Sequence, residues 1–171
     1  MDDDGDDGEI ALYALIGALE LNALAVLEER MRSAHSGRLR STTVTDADIP
    51  LLVAAATASR LVHTLEVCNF PAFSTSQPHA ELVCRDDGRM WLTLCLRLEA
   101  VALVCNALRP HMCVPALIIS HKSIGAAAAA DLAAALARNS TLQALTLGDV
   151  GSMRRPRLLR RRWRRTAASV R

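Results

Sequence analysis

Residues 116–149 read ALIISHKSIGAAAAADLAAALARNSTLQALTLGD, and this stretch decides the fold. Leu117 and Ile119 alternate, as the two inward residues of a short strand do. Ile124 and Gly125 follow, then an Ala-rich helical run with Leu132 and Leu136 at i, i+4. Asn139-Ser140-Thr141-Leu142 closes the helix, and Leu145 and Leu147 alternate again, 28 residues after Leu117 and Ile119. A strand of this length cannot bury its apolar face alone, and neither can the helix. Copies stacked side by side pair their strands and share one core.

The same pattern recurs upstream. A step back of 28 carries Leu145 to Leu117, Leu142 to Val114, Leu136 to Leu108, Leu132 to Val104, Ile124 to Leu96 and Ile119 to Trp91. A step back of 80 carries Ile124 to Val44, Leu132 to Leu52, Leu142 to Val62, Leu145 to Leu65 and Leu147 to Val67. Strand anchors therefore fall near Leu39, Val67, Trp91, Ile119 and Leu147, with three steps of 28 and one of 24. The short step covers residues 69–88, which hold Pro71 and Pro78 and no helical periodicity; they read as an irregular loop or a defective repeat. Helices are predicted near 46–59, 97–109 and 126–138, and strands near 62–68, 115–119 and 143–147.

Residues 117–147 resemble the ribonuclease-inhibitor type of leucine-rich repeat, also found in NOD-like receptors. Leu117, Ile119, Ile124, Gly125, Leu132, Ala133, Ala135, Leu136, Asn139, Thr141, Leu142, Leu145 and Leu147 occupy the places of that family's pattern. The family's ladder asparagine is replaced, by Thr42, Lys122 and Val150 at the three aligned places, and Ala128-Ala129 stands where Gly-Ala opens the family's helix. The resemblance implies an α/β solenoid: a short, divergent partial horseshoe with a parallel sheet inside and helices outside. It further implies a scaffold that binds a protein on the concave sheet face and carries no catalysis. In the family's LxxLxLxx frame the exposed sheet positions include His63, Glu66, Cys68, Ile118, Ser120, Gln143 and Thr146.

Composition sets bounds on this reading. Hydrophobic residues are 51% of the 171 and aromatics only 3%, so the core must be built from Ala, Leu and Val. The net charge of +2 hides a split. Asp2, Asp3, Asp4, Asp6, Asp7 and Glu9 crowd the start, while residues 152–171 hold nine arginines and no acid; residues 1–151 carry eleven basic and eighteen acidic residues, a net of −7. The acidic start does not space like a calcium loop and reads as a solvated segment. It is also the opposite of a secretory leader. Ile10–Leu27 is long enough to span a bilayer, but Glu20 and Asn22 near its centre favour a helix packed against protein.

The five cysteines, Cys68, Cys84, Cys95, Cys105 and Cys113, form no CxxC, and reduced thiols in a cytoplasmic or nuclear protein are the simplest expectation. Cys105, His111 and Cys113, with His79 and Cys84, match no closed zinc set and read as structural. No nucleophile elbow or phosphate-cradling loop occurs, so no enzyme, metal or cofactor is expected.

The organisation expected is a disordered acidic segment over 1–8, an N-terminal helix within 9–36, a repeat array over 37–151 and an Arg-rich tail over 152–171. The tail offers a second reading, nucleic-acid or polyanion binding. Its contacts would be Arg154, Arg155, Arg157, Arg160, Arg161, Arg162, Arg164 and Arg165 with phosphates, and Trp163 with a base. Because periodicity stops after Leu147, a third reading is a truncated repeat-protein fragment without independent function.

Overall fold

In a computed structural model the described residues are 8–34, 37–69, 77–97, 100–108, 112–120 and 126–148. Seven strands and five helices follow in the order β1 (Gly8–Glu9), α1 (Leu12–Glu20), α2 (Leu24–Ser33), β2 (Arg38–Ser41), α3 (Ile49–Ala58), β3 (Val62–Asn69), β4 (His79–Cys84), β5 (Met90–Leu96), α4 (Val101–Ala107), β6 (Ala116–Ser120), α5 (Ala126–Ala137) and β7 (Ala144–Gly148). The strands form one sheet in the order β1-β2-β4-β5-β3-β6-β7. Helix α3 packs on α1, α4 on α3 and α5 on α4, which puts all four in one layer. That layer covers one face of the sheet, where Leu39, Leu65, Val67, Leu82, Leu92, Leu94, Leu117 and Ile119 are almost wholly buried. The fold is therefore a two-layer α/β arrangement with a mixed sheet.

Each helix follows from its apolar spacing. Leu12, Leu15, Ile16 and Leu19 place one stripe of α1 against the core, and Leu27 and Met31 do the same for α2. The single N-terminal helix expected within 9–36 is thus two helices. Asn22 breaks it by taking a left-handed backbone, φ 49°, which asparagine tolerates better than most residues. Its Oδ1 accepts the Arg60 backbone N–H at 2.7 Å and the Ser59 hydroxyl at 3.2 Å, tying this turn to the turn after α3. No helix among the described residues is long and apolar enough to cross a membrane.

Helix α3 begins with Pro50 in its first turn, where a missing N–H costs nothing. Ahead of it, Asp48 Oδ2 accepts both the Thr45 backbone N–H (3.0 Å) and the Thr45 hydroxyl (2.6 Å), while Tyr13 donates its hydroxyl to Oδ1 (3.0 Å). These bonds hold the Asp48 carboxyl below its usual range, chiefly through the Thr45 hydroxyl.

The 28-residue spacing is visible in the strand register. Leu117 lies opposite Leu145 and Ile119 opposite Leu147, and on the other side Leu65 and Val67 face Leu117 and Ile119. The turns are linked at related spacing: the Cys113 N–H donates to the Thr57 carbonyl, Thr141 donates its hydroxyl to the Met112 carbonyl, and the Gln143 N–H donates to the Pro115 carbonyl. Buried backbone groups in these turns find partners on the next turn in place of an asparagine ladder. Of the positions aligned to that ladder, Lys122 and Val150 lie outside the described residues.

Three expectations are corrected here. The segment 69–88 is not simply an irregular loop, since His79–Cys84 is strand β4, with Ala80 and Leu82 fully buried. An Asp86-Asp87-Gly88 turn, with Gly88 at φ 74°, joins it to β5 as a hairpin. The sheet is not wholly parallel, because β4 runs antiparallel to both β2 and β5. The hairpin occupies the place between β2 and β3 that neighbouring repeats would share. Trp91 is not the equivalent of Val67 and Ile119, because Val67 lies opposite Leu94. The 24-residue step placed the anchor three residues early, and an odd shift exchanges the faces of a strand.

The N-terminal boundary also moves. Gly8 belongs to strand β1, opposite Leu39, rather than to the acidic segment. A Cβ on Gly8 would come within 2.5 Å of the Ala34 Cβ, so this close approach requires glycine.

Candidate functional site

Among the described residues, the helices leave the second face of the sheet uncovered, and alternation places a defined set of side chains there. Reading across strands by register, one row is Arg38 on β2, Val83 on β4, Trp91 on β5, Thr64 on β3, Ala116 on β6 and Ala144 on β7. The middle row is Arg40, Glu81, Thr93, Glu66, Ile118 and Thr146. The third is His79, Cys95, Cys68, Ser120 and Gly148. Most of these residues are half-buried by their neighbours.

Five of the seven sheet residues predicted from the sequence come together. Glu66, Ile118 and Thr146 are consecutive in the middle row, and Cys68 and Ser120 are adjacent in the third. His63 does not join them. It stands at a bulge between Val62 and Thr64, outside the register, with Nδ1 3.0 Å from the Thr64 hydroxyl. Gln143 precedes β7 and is exposed, beside the patch rather than in it. The arginines at 154, 155, 157, 160, 161, 162, 164 and 165, and Trp163, lie outside the described residues.

The face divides by chemistry. On its β2–β4–β5 side the charges gather. Arg38 pairs with Glu81 at 3.1 Å, and Arg40 Nη2 lies 3.4 Å from His79 Nδ1. The Arg85 guanidinium sits 4.7 Å from the Trp91 ring centroid, within cation–π range. Thr93 donates its hydroxyl to Glu66 at 3.4 Å, but burial outweighs this bond and pushes the Glu66 carboxyl up. On the β6–β7 side the residues are small and neutral: Ala116, Ile118, Ser120, Ala144, Thr146 and Gly148.

One group was not legible beforehand. Cys68 and Cys95 lie opposite each other on parallel strands, with their sulfurs 2.7 Å apart. The bond donated from Cys68 holds the Cys95 thiol well down, assisted by His79, while the same bond and burial push Cys68 up. His79 is in turn raised, mainly by Cys95 and also by its bond to the Gln77 carbonyl (3.1 Å). His79 was missed as a site residue because β4 was expected to be loop, and Cys95 because the anchor at Trp91 put it on the helix-facing side of β5. The alternation of Met90, Leu92, Leu94 and Leu96 was the available signal for β5, and it assigns Trp91, Thr93 and Cys95 to the other face.

The remaining thiols are apart from this pair. Cys105 is buried in α4, as its place in the helix frame predicts, while Cys84 and Cys113 are exposed. His111 lies outside the described residues. Among the described residues no three His, Cys, Asp or Glu side chains are grouped as a metal site. A groove on the helix side, between α4 and α5, is lined by Cys105, Asn106, Leu108, Asp131 and Arg138.

No family model, no curated protein and no solved structure matches the chain.

Proposed function

We propose that this chain is a non-enzymatic scaffold of leucine-rich-repeat type, and that a protein partner docks on the uncovered face of its sheet. The observation that carries this reading is the contiguous patch Glu66, Ile118, Thr146, Cys68 and Ser120, brought into register on a face that no helix covers. The 28-residue correspondence of strands and turns supports the repeat reading, and repeats of this kind build extended binding surfaces. The face also suits a polypeptide better than a polyanion. Arg38 on β2 is paired with Glu81, and the β6–β7 side is small and neutral. A partner surface presenting apolar and uncharged side chains would match Ile118 and Thr146, neither of which carries a charge.

The reading is tested by placing a photo-crosslinking side chain at Ile118, at Thr146, or at Ala133 on the exposed side of α5. The first two positions should yield the same adduct in source cells, and Ala133 should not. Glu66→Lys should abolish that adduct with the circular dichroism unchanged. Adducts from Ala133 alone, or identical yields at all three positions, would remove the sheet face from consideration.

A second reading is favoured by one sequence observation. Eight of the twelve residues 154–165 are Arg, with no acid among residues 152–171. In this reading the tail binds a polyanion independently of the sheet. A chain ending at Gly151 should then lose heparin retention, and retention of the full chain should fall steeply with salt. Unchanged retention sinks it.

A further inference from the structure

Cys68 and Cys95 differ from the other three cysteines in one respect: each is the other's register partner on an adjacent strand, and their sulfurs approach to 2.7 Å. Neighbouring strands hold paired backbones about 4.8 Å apart. That separation lies within the range a disulfide bridges, so closing the bond requires a sulfur movement and little backbone rearrangement. Both thiols are half-buried, on the face that no described helix covers, and their remaining exposure lets a small reagent reach them.

We propose that Cys68 and Cys95 form a reversible dithiol–disulfide site, with a low-molecular-weight disulfide of the glutathione class as its oxidant. Cys95 is the attacking sulfur and Cys68 the resolving one. The site is independent of the scaffold reading, since it needs only β3, β4 and β5.

The assignment of roles follows from the surroundings. Cys95 lies between Cys68 on β3 and His79 on β4, and the hydrogen bond and charge of the His79 ring favour its thiolate. Cys68 lies between Cys95 and Ser120, with Glu66 next on its own face of β3; no cation offsets that carboxylate at Cys68. The thiolate therefore resides on Cys95 and the proton on Cys68. Facing this pair are Arg40 from β2, His79 and Glu81 from β4, Glu66 from β3, Ser120 from β6, and Arg85 from the hairpin turn. His79 is a positioning residue here: its ring stands in register beside Cys95, which pushes its pKa up, and its charged form favours the Cys95 thiolate.

The chemistry balances in two exchanges. The Cys95 thiolate attacks one sulfur of the small disulfide. A Cys95–glutathione bond forms, the small S–S bond breaks, and one glutathione thiolate leaves. Cys68 then gives its proton to that thiolate or to water, and its sulfur attacks Cys95 Sγ. The Cys68–Cys95 bond forms and the second glutathione thiolate leaves. The two protein sulfurs are oxidised by two electrons and the small disulfide is reduced to two thiols; excess glutathione reverses both steps.

The full reduced chain is incubated with glutathione disulfide, quenched by alkylation, and mapped by mass spectrometry. The expected product is a peptide pair joined through Cys68 and Cys95, reversed by reduced glutathione, with Cys84 and Cys113 carrying at most mixed disulfides. Cys68→Ser should stop at glutathione on Cys95. Cys95→Ser should leave Cys68 on the order of tenfold slower to react at pH 7, the difference between a thiolate and a protonated thiol. His79→Gln should slow alkylation of Cys95 near neutral pH and leave the rate at high pH unchanged, shifting the pH profile upward. Circular dichroism of each variant establishes that it folds. Absence of the Cys68–Cys95 linkage overturns the proposal, as do equal alkylation rates for the two single variants.

Discussion

Leu82→Ala separates two accounts of residues 77–88. If these residues were an irregular loop, truncating Leu82 would change stability by about 0.5 kcal/mol or less. In the structure Leu82 is 0% exposed and lies between Leu39 on β2 and Leu92 on β5, both also buried. Removing its side chain opens a void whose neighbours belong to separate strands, held by their own ladders. Collapse is therefore incomplete, and the cost falls at about 3 kcal/mol, within the range of about 2–5 kcal/mol for Leu→Ala in cores. For a chain of this size that corresponds to roughly 6–12 °C in Tm. Urea unfolding followed by far-ultraviolet circular dichroism measures it, with Leu117→Ala as the core reference, because Leu117 is 1% exposed in a strand paired on both sides. Leu82→Ala should cost about as much as Leu117→Ala. A loss below about 1 kcal/mol for Leu82 beside a full loss for Leu117 would refute the placement of β4 within the sheet.

Three further outcomes follow from local chemistry. Asn22→Ala removes the acceptor for the Arg60 N–H and puts a less tolerant residue at φ 49°, so it should cost about 1–2 kcal/mol in the same urea assay, and Asn22→Gly less because glycine keeps the backbone. Asp48 is lowered, so its contribution is complete above the unfolded carboxylate value of about 3.9 and is lost as pH falls through the folded one; the stability gap between the natural chain and Asp48→Asn should close in acid, and a gap constant with pH would contradict the Thr45 bonds. Glu66 is raised by burial, so stability is complete below about pH 4.3 and declines as pH rises through its folded value; Glu66→Gln should match the natural chain in acid and exceed it at pH 7, measured as Tm against pH.

Much of the helix layer was legible because it depends on local spacing. Leu132 at i+4 from Ala128, or Leu15 and Leu19 on α1, is buried by a stripe that any reader of period 3.6 can find. The hairpin was harder. His79-Ala80-Glu81-Leu82 alternates for only a few residues, and two prolines before it argued for loop. Its Asp-Gly turn was the overlooked signal. The break at Asn22 was hidden because the apolar pattern runs through it, and only the bond to Arg60, 38 residues away, makes the kink worth its cost.

From the sequence alone came the two-residue and 28-residue periods. These determine which side of β3, β6 and β7 faces the helices, and hence that Glu66, Cys68, Ile118, Ser120 and Thr146 share the opposite face. Periodicity assigns a face but not a neighbour. Whether β3 lies beside β2 or beside β5 is a choice among non-local backbone pairings that satisfy the same alternation, and the tertiary structure alone made it by inserting β4 and β5 between β2 and β3. That insertion brought Cys95 opposite Cys68 and His79 beside Cys95, a chemical grouping drawn from residues 11 to 27 positions apart.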